Sequence, residues 1–207
     1  MKVEVSFIMQ SQKTRSLVYG GVFSALAIVL YFFELPIIPG LPYLKIDFSD
    51  LPAALAAVLL GPAAGVAVEL IKNAVHLLIK GFGDTMGFGD LINFLVGSAL
   101  VLGYGVALRG WRARHGEGRG ARAGSGAAGY LLAGAAGAAA MAAAGVAFNF
   151  LIAPPYFRVM MHVELGGAAL WGAIGGATVL NVMKSVVVAV LAVPLLSLAG
   201  RRFHAAA

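Results

Sequence analysis

The chain of 207 residues contains no cysteine, which excludes disulfide frameworks, thiolate metal sites and cysteine nucleophiles together. Charge is scarce as well. Asp, Glu, Lys and Arg make up 12% of the residues against 60% apolar ones, whereas a soluble domain carries about 25% charged residues. The mean hydropathy of +0.90 agrees, and soluble globular and disordered classes are set aside. Also missing are His-Glu-x-x-His, the P-loop and Gly-x-Ser-x-Gly, so the chain does not read as an ATPase, a hydrolase or any other enzyme. If it moves a solute uphill, a partner must supply the energy.

What is there is apolar sequence arranged in runs. Six short spans nearly consume the chain, at about 17–33, 51–60, 63–79, 91–108, 127–152 and 170–198, and the reading is an all-α, single transmembrane domain over 1–207. Ala25-Leu26-Ala27 mimics a signal-peptide cleavage site, but the apolar run continues past it, so the first run reads as a retained helix. Pro36, Pro39, Gly40 and Pro42 make Glu34 to Lys45 an ordered loop. Asp50-Leu51-Pro52 reads as a helix start, with a carboxylate near the orphan amides and proline in the first turn. Gly61-Pro62 then breaks the chain, and the segment before it is so short that it must be tilted, partial or buried among neighbours. Gly81, Gly83 and Gly87 mark another loop, and Pro194 is placed to kink the far end of span six.

Orientation follows from the basic residues. With the amino terminus in the cytoplasm, Lys2, Lys13, Arg15, Arg109, Arg112, Arg114, Arg119, Arg122, Arg201 and Arg202 lie on that side, ten of the 15. Lys45, Lys80 and Arg158 face outward, beside Glu34, Asp47, Asp50, Asp84, Asp90 and Glu164. Both termini are therefore expected in the cytoplasm. The net charge of +6 is explained by topology and not by nucleic acid, since no aromatic residue except Trp111 is interleaved with the arginines. Residues 109–126 read as a basic cytoplasmic linker, flexible from Gly118 to Gly126. Ala127 to Gly145 reads as a helix of small side chains, whose spacings Gly134 to Ala138 and Ala138 to Ala142 permit close packing.

Polar residues inside the spans are site hypotheses by default. Glu69, Lys72, Asn73 and His76 share one helix face at i, i+3, i+4 and i+7, and Glu69 and Lys72 can pair there as an internal structural lock. Lys184 lies deep in span six, one turn after Asn181, with no acid beside it in its own span. Its ammonium wants an acceptor: Glu69, a backbone carbonyl, or an oxygen of a bound solute. Asn93 and Asn149 offer amide donors and acceptors suited to the edge of a heterocycle, or to bonds between helices. Tyr31, Phe32, Phe33, Tyr43, Tyr156 and Phe157 gather at the outer ends, as an interfacial belt or as stacking surface for a planar ligand. Asp47-Phe48-Ser49-Asp50 is a metal-binding pattern only in its weakest form, and no metal site is assigned.

Taken in order, several stretches resemble one family. The strongest is Gly40-Leu41-Pro42-Tyr43-Leu44-Lys45-Ile46-Asp47-Phe48-Ser49-Asp50-Leu51-Pro52, followed by Gly61-Pro62-Ala63-Ala64-Gly65-Val66-Ala67-Val68-Glu69-Leu70-Ile71-Lys72-Asn73. Weaker echoes stand at Asn93-Phe94, at Asn149-Phe150 ahead of Pro155-Tyr156, and at Asn181-Val182-Met183-Lys184. They resemble the riboflavin-specific substrate-binding subunits, or S components, of energy-coupling factor (ECF) vitamin transporters.

That resemblance implies six membrane helices in a cell-membrane protein, riboflavin bound from outside as the transported ligand, and no cofactor. It implies partners too: a transmembrane coupling subunit and two cytoplasmic ATPases, with toppling of the subunit releasing the vitamin inward. Carried over residue by residue, it makes Lys184, Asn149 and Asn93 the leading ligand contacts, joined by Asn181, Tyr156 and the loop residues Leu44, Lys45 and Asp47. Gly21 and Ala25 would form the docking surface for the coupling subunit. Ser185 stands where the family usually has glycine. Two alternatives stay open: an S component for another vitamin or a flavin nucleotide, and a metal-dependent membrane enzyme using Asp47 and Asp50.

Overall fold

The computed structural model describes residues 2–36, 45–82, 86–115, 126–162, 164 and 166–205. The expected contact Leu44 and most of the linker after Arg114 lie outside them. Among the described residues the chain forms seven helices and one two-stranded ribbon. Helix α1 (Lys2–Tyr31) leads to strand β1 (Leu35–Pro36), which pairs antiparallel with β2 (Lys45–Ile46), Leu35 opposite Ile46. Then come α2 (Asp50–Leu59), α3 (Pro62–Lys80), α4 (Phe88–Arg114), α5 (Gly126–Leu151), α6 (Ala153–Met161) and α7 (Gly167–Ala205).

Five of these helices are long and apolar enough to cross a membrane, over Thr14–Tyr31, Pro62–Lys80, Phe88–Arg114, Gly126–Leu151 and Gly167–Leu195. The remaining expected span, 51–60, is α2, which has 10 residues and so extends about 15 Å, half of a bilayer core. It is packed inside the bundle, with Ala53, Ala54 and Ala56 fully buried. Gly61, at φ 117°, separates α2 from α3 in a conformation that a side chain would strain.

Several boundaries differ from the sequence reading. Helix α1 begins at Lys2 instead of near residue 17, because nothing between 2 and 16 is glycine or proline to stop it. Helix α4 runs on through Arg109, Arg112 and Arg114, residues assigned above to the linker, with Gly110 inside it. Helix α7 spans Gly167–Ala205, and Pro194 lies within it. The segment after span five, which was given no helix, forms α6. Pro154 and Pro155 fall in its first turn, where a missing amide proton costs no intrahelical bond.

Helix α5 lies between α4 and α7, and its small residues explain how three helices fit so closely. A Cβ on Gly137 would stand 2.9 Å from the Leu100 carbonyl oxygen of α4, and one on Gly134 would stand 3.0 Å from Ala189 Cβ of α7. The buried seam of α5 is Tyr130, Ala133, Gly134, Gly137, Met141, Gly145 and Asn149. Gly134 of the expected small-residue spacing lies in this seam, and Ala138 and Ala142 are half-buried. On the far side α1 stays exposed at Leu17, Val18, Val22, Leu26 and Val29, apolar side chains suited to lipid.

Candidate functional site: a charged cavity between the ribbon and five helices

The turn before α2 builds one wall. Asp47 Oδ1 accepts hydrogen bonds from the amide of Ser49 at 2.8 Å and from its hydroxyl, an Asx turn that points the other carboxylate oxygen away. That oxygen, Asp47 Oδ2, accepts from Lys184 Nζ of α7 at 2.9 Å. The same ammonium donates to Asn93 Oδ1 of α4 at 3.0 Å and forms an ion pair with Asp50 Oδ2 at 2.9 Å. Lys184 therefore has its acids, but they come from the turn before α2 and from α2 itself. Glu69, considered above as its acceptor, pairs with Lys72 at 2.8 Å instead.

Behind this wall Lys72 is wholly buried and donates to Ser49 Oγ at 2.8 Å and to Asp50 Oδ1. Charges sunk in an apolar bundle are tolerable only when neutralised and hydrogen-bonded, and here two lysines and two aspartates alternate in one connected cluster. Asn73 bonds to the Glu69 carbonyl within its own helix at 2.8 Å. Glu69, Lys72 and Asn73 stay out of the cavity, whereas the fourth residue of that face, His76, lines it.

The cavity has a volume of about 370 Å³, within the range of small-ligand sites. Its inner end is formed by Asn93, Val96, Asn149, Ala177, Leu180, Asn181, Lys184 and Asp47. Asn149 donates to the Gly145 carbonyl at 2.8 Å, and Asn93 Nδ2 is buried with no hydrogen-bond partner among the described residues. Such a donor beside an empty space can be satisfied by a ligand acceptor.

The other end is a second charged cluster. His76 stacks on Tyr31 with ring centroids 3.9 Å apart, and its Nδ1 lies 2.6 Å from Asp90 Oδ1, which also accepts from Tyr31 Oη at 3.1 Å. Glu34, at the exit of α1, accepts from Lys45 at 2.7 Å and from Lys80, and lies 3.7 Å from His76 Nε2. Burial alone would raise the Glu34 carboxyl, but hydrogen bonds from His76, Lys45 and Lys80 outweigh it and lower the pKa to about 2. Sequence reasoning missed Glu34 and Asp90 as cavity residues. The available signal was their place as acids at the margins of apolar runs, which had been used only for orientation.

The expected contacts divide accordingly. Lys184, Asn149, Asn93, Asn181, Lys45 and Asp47 are brought to one cavity. Tyr156 is not: its hydroxyl bonds to the Met86 carbonyl, and its ring packs at 4.9 Å on Phe88, which itself forms cavity wall. Gly21 and Ala25 are exposed on α1, and a Cβ on Gly21 would meet nothing within 4 Å. Asp47 and Asp50 face the ammonium groups of Lys72 and Lys184, where a metal-dependent enzyme would need them to face a metal ion. Among the described residues no group of three or more His, Asp or Glu could hold a metal ion.

Helices long and apolar enough to cross a membrane, packed around a small polar cavity, define a multi-pass membrane protein with an internal site. The family model for the substrate-specific component of ECF transporters matches residues 15–196, and the chain belongs to that family. It is 44% identical over 91 residues to the riboflavin transporter FmnP of Bacillus subtilis (strain 168), covering 44% of this chain and 47% of that protein. It is 41% identical over 93 residues to the riboflavin transporter RibU of Staphylococcus aureus (strain TCH60), covering 44% and 47%. The chain thus spans about half the length of the curated relatives it matches. In three dimensions it is similar to a solved S component of a bacterial ECF transporter, with a TM-score of 0.63 and 24% identity over 93% of this chain and 96% of the other, a likeness of fold.

Proposed function

We propose that this chain is the riboflavin-binding subunit of an ECF-type importer in the cell membrane. The observation that carries the reading is the cavity of about 370 Å³ whose inner end joins an apolar floor to three asparagine amides and Lys184. A flat heterocycle with acceptors and donors along one edge matches that lining, and the names of the relatives point to the same vitamin. The contacts are Lys184, Asn149, Asn93 and Asn181, with Lys45, Asp47 and Leu44 of the first loop covering the site and Tyr156 backing its wall through Phe88.

In this reading the protein is a single transmembrane domain with six spans, α2 being the short one, and both termini in the cytoplasm. No chemistry is performed on the vitamin. Release inward depends on a transmembrane coupling subunit, docked on α1 around Gly21 and Ala25, and on two ATPases. Glu69, Lys72, Asn73 and His76 belong to the polar face of α3 that holds the bundle together.

The test is titration of ligand-free purified protein with riboflavin, followed by quenching of flavin fluorescence. Tight quenching that saturates at a single flavin per chain, weakened in Lys184→Ala, is the expected result. Folded protein that leaves flavin fluorescence untouched would sink the riboflavin assignment. The second reading, a flavin nucleotide, draws on Lys45 and Lys80 at the cavity mouth, and competition between riboflavin and its monophosphate in the same assay separates the two.

A further inference from the structure

Asp47 in the turn before α2 and Asp50 at the start of that helix are used in the same way. Asp47 turns Oδ1 toward Ser49, and Asp50 turns Oδ1 toward Lys72, while each carboxylate presents Oδ2 to Lys184 at 2.9 Å. Lys72 lies at the back of both arrangements, because it bonds to Asp50 directly and to Ser49 Oγ at 2.8 Å. It does not line the cavity, is fully buried, and is held in turn by Glu69 at 2.8 Å and by the face of Tyr31, whose centroid is 5.7 Å away. An ammonium in such a place is costly to bury, and an ion pair between Lys72 and Glu69 alone would lock the helix without involving the loop.

We propose that Lys72 is a positioning residue for substrate binding, which aims the carboxylates of Asp47 and Asp50 so that together they set the place of Lys184 in the cavity wall. The proposal rests on the reading of the cavity as the flavin site, and extends it to a residue with no contact to the ligand. Without Lys72, Ser49 loses the donor to its hydroxyl and Asp50 loses the partner of its inner oxygen. The Asp50 carboxylate is then free to turn, Asp47 keeps the Ser49 amide but loses the anchor of the hydroxyl that also holds it, and the bond from Lys184 to Asn93 Oδ1 shifts with them. A flexible lysine holds a productive geometry only while its acceptors are fixed, so the loss reaches the ligand through Lys184.

The experiment compares wild type, Lys72→Met, Lys184→Met and the double variant by riboflavin titration, with thermal melting of each ligand-free protein alongside. Lys72→Met is expected to weaken binding by roughly ten- to a hundredfold, the worth of one charge-assisted hydrogen bond. Combined with Lys184→Met it should add little further loss, since a residue acting through another is not additive with it. A merely structural Lys72 gives the opposite: a lower melting temperature with unchanged affinity, or losses that add fully.

A second readout needs no ligand. Amine acetylation followed by mass spectrometry should find Lys184 slow to react in wild type and faster in Lys72→Met, while Lys45 and Lys80, tied to Glu34, keep their rates. An unchanged Lys184 rate in folded Lys72→Met overturns the positioning role. Wild type that binds no riboflavin overturns the flavin reading instead, and the acetylation rates still decide the role of Lys72.

Discussion

Asp47 in the first loop and Lys184 in α7, 137 residues apart in sequence, meet across the cavity wall with Oδ2 and Nζ 2.9 Å apart. This contact ties the ribbon between α1 and α2 to the last membrane helix. It also places a charged group of each at the inner end of the cavity.

Breaking that pair on one side should be worse than removing both partners. Lys184→Met leaves two buried aspartates short of a cation and is expected to destabilise by about 3–5 kcal/mol, whereas adding Asp47→Asn should recover part of the loss. Thermal melting in detergent, with a double-mutant cycle over the four proteins, measures it. Additive losses would mean that the two groups do not interact.

Close packing of α4 on α5 is the next point of test. Gly137→Val puts a branched side chain where even a Cβ stands 2.9 Å from a carbonyl oxygen and 3.2 Å from Leu100 Cδ1. Overpacking of this kind costs about 1–3 kcal/mol, so the melting temperature should fall. A substitution at Gly21, where nothing lies within 4 Å, should not lower it.

Glu34 gives a pH dependence whose sign is set. Its folded pKa of about 2 lies below the ordinary 4.5, so its contribution to stability is present above pH 4.5 and disappears as the pH falls toward 2. Glu34→Gln should therefore be less stable than wild type at neutral pH, with the difference shrinking through that acid window. Melting curves of both proteins from pH 2 to 7 decide it, and a constant difference would show that the charge of Glu34 is not what stabilises.

Asn93 carries the last prediction. Its Nδ2 is buried without a partner among the described residues and lies at the cavity, so a bound flavin acceptor would satisfy it. Asn93→Asp, which keeps the oxygen for Lys184 and removes the amide donor, should weaken riboflavin binding by about tenfold or more. Equal affinity in the titration would remove Asn93 from the list of ligand contacts.

Composition and hydrophobic runs were enough to place this chain in a bilayer and to locate its helices, because apolar length and the proline and glycine breaks act locally on the backbone. Helix α6 escaped that reading, since its 9 residues are too few for a span and its start is marked only by Pro154-Pro155 in the first turn. The same local chemistry singled out Lys184, Asn93, Asn149 and Asn181 as polar groups too costly to bury without purpose. It could not say what they meet. The acids beside Lys184 come from the loop and α2, and Glu34 collects Lys45 and Lys80 from two other elements. Those pairings depend on which helices pack side by side and on the direction each side chain takes from them. The residue types and their order determined that charge would be buried here; only the tertiary structure decided which carboxylate faces which ammonium, and that those pairs enclose a cavity.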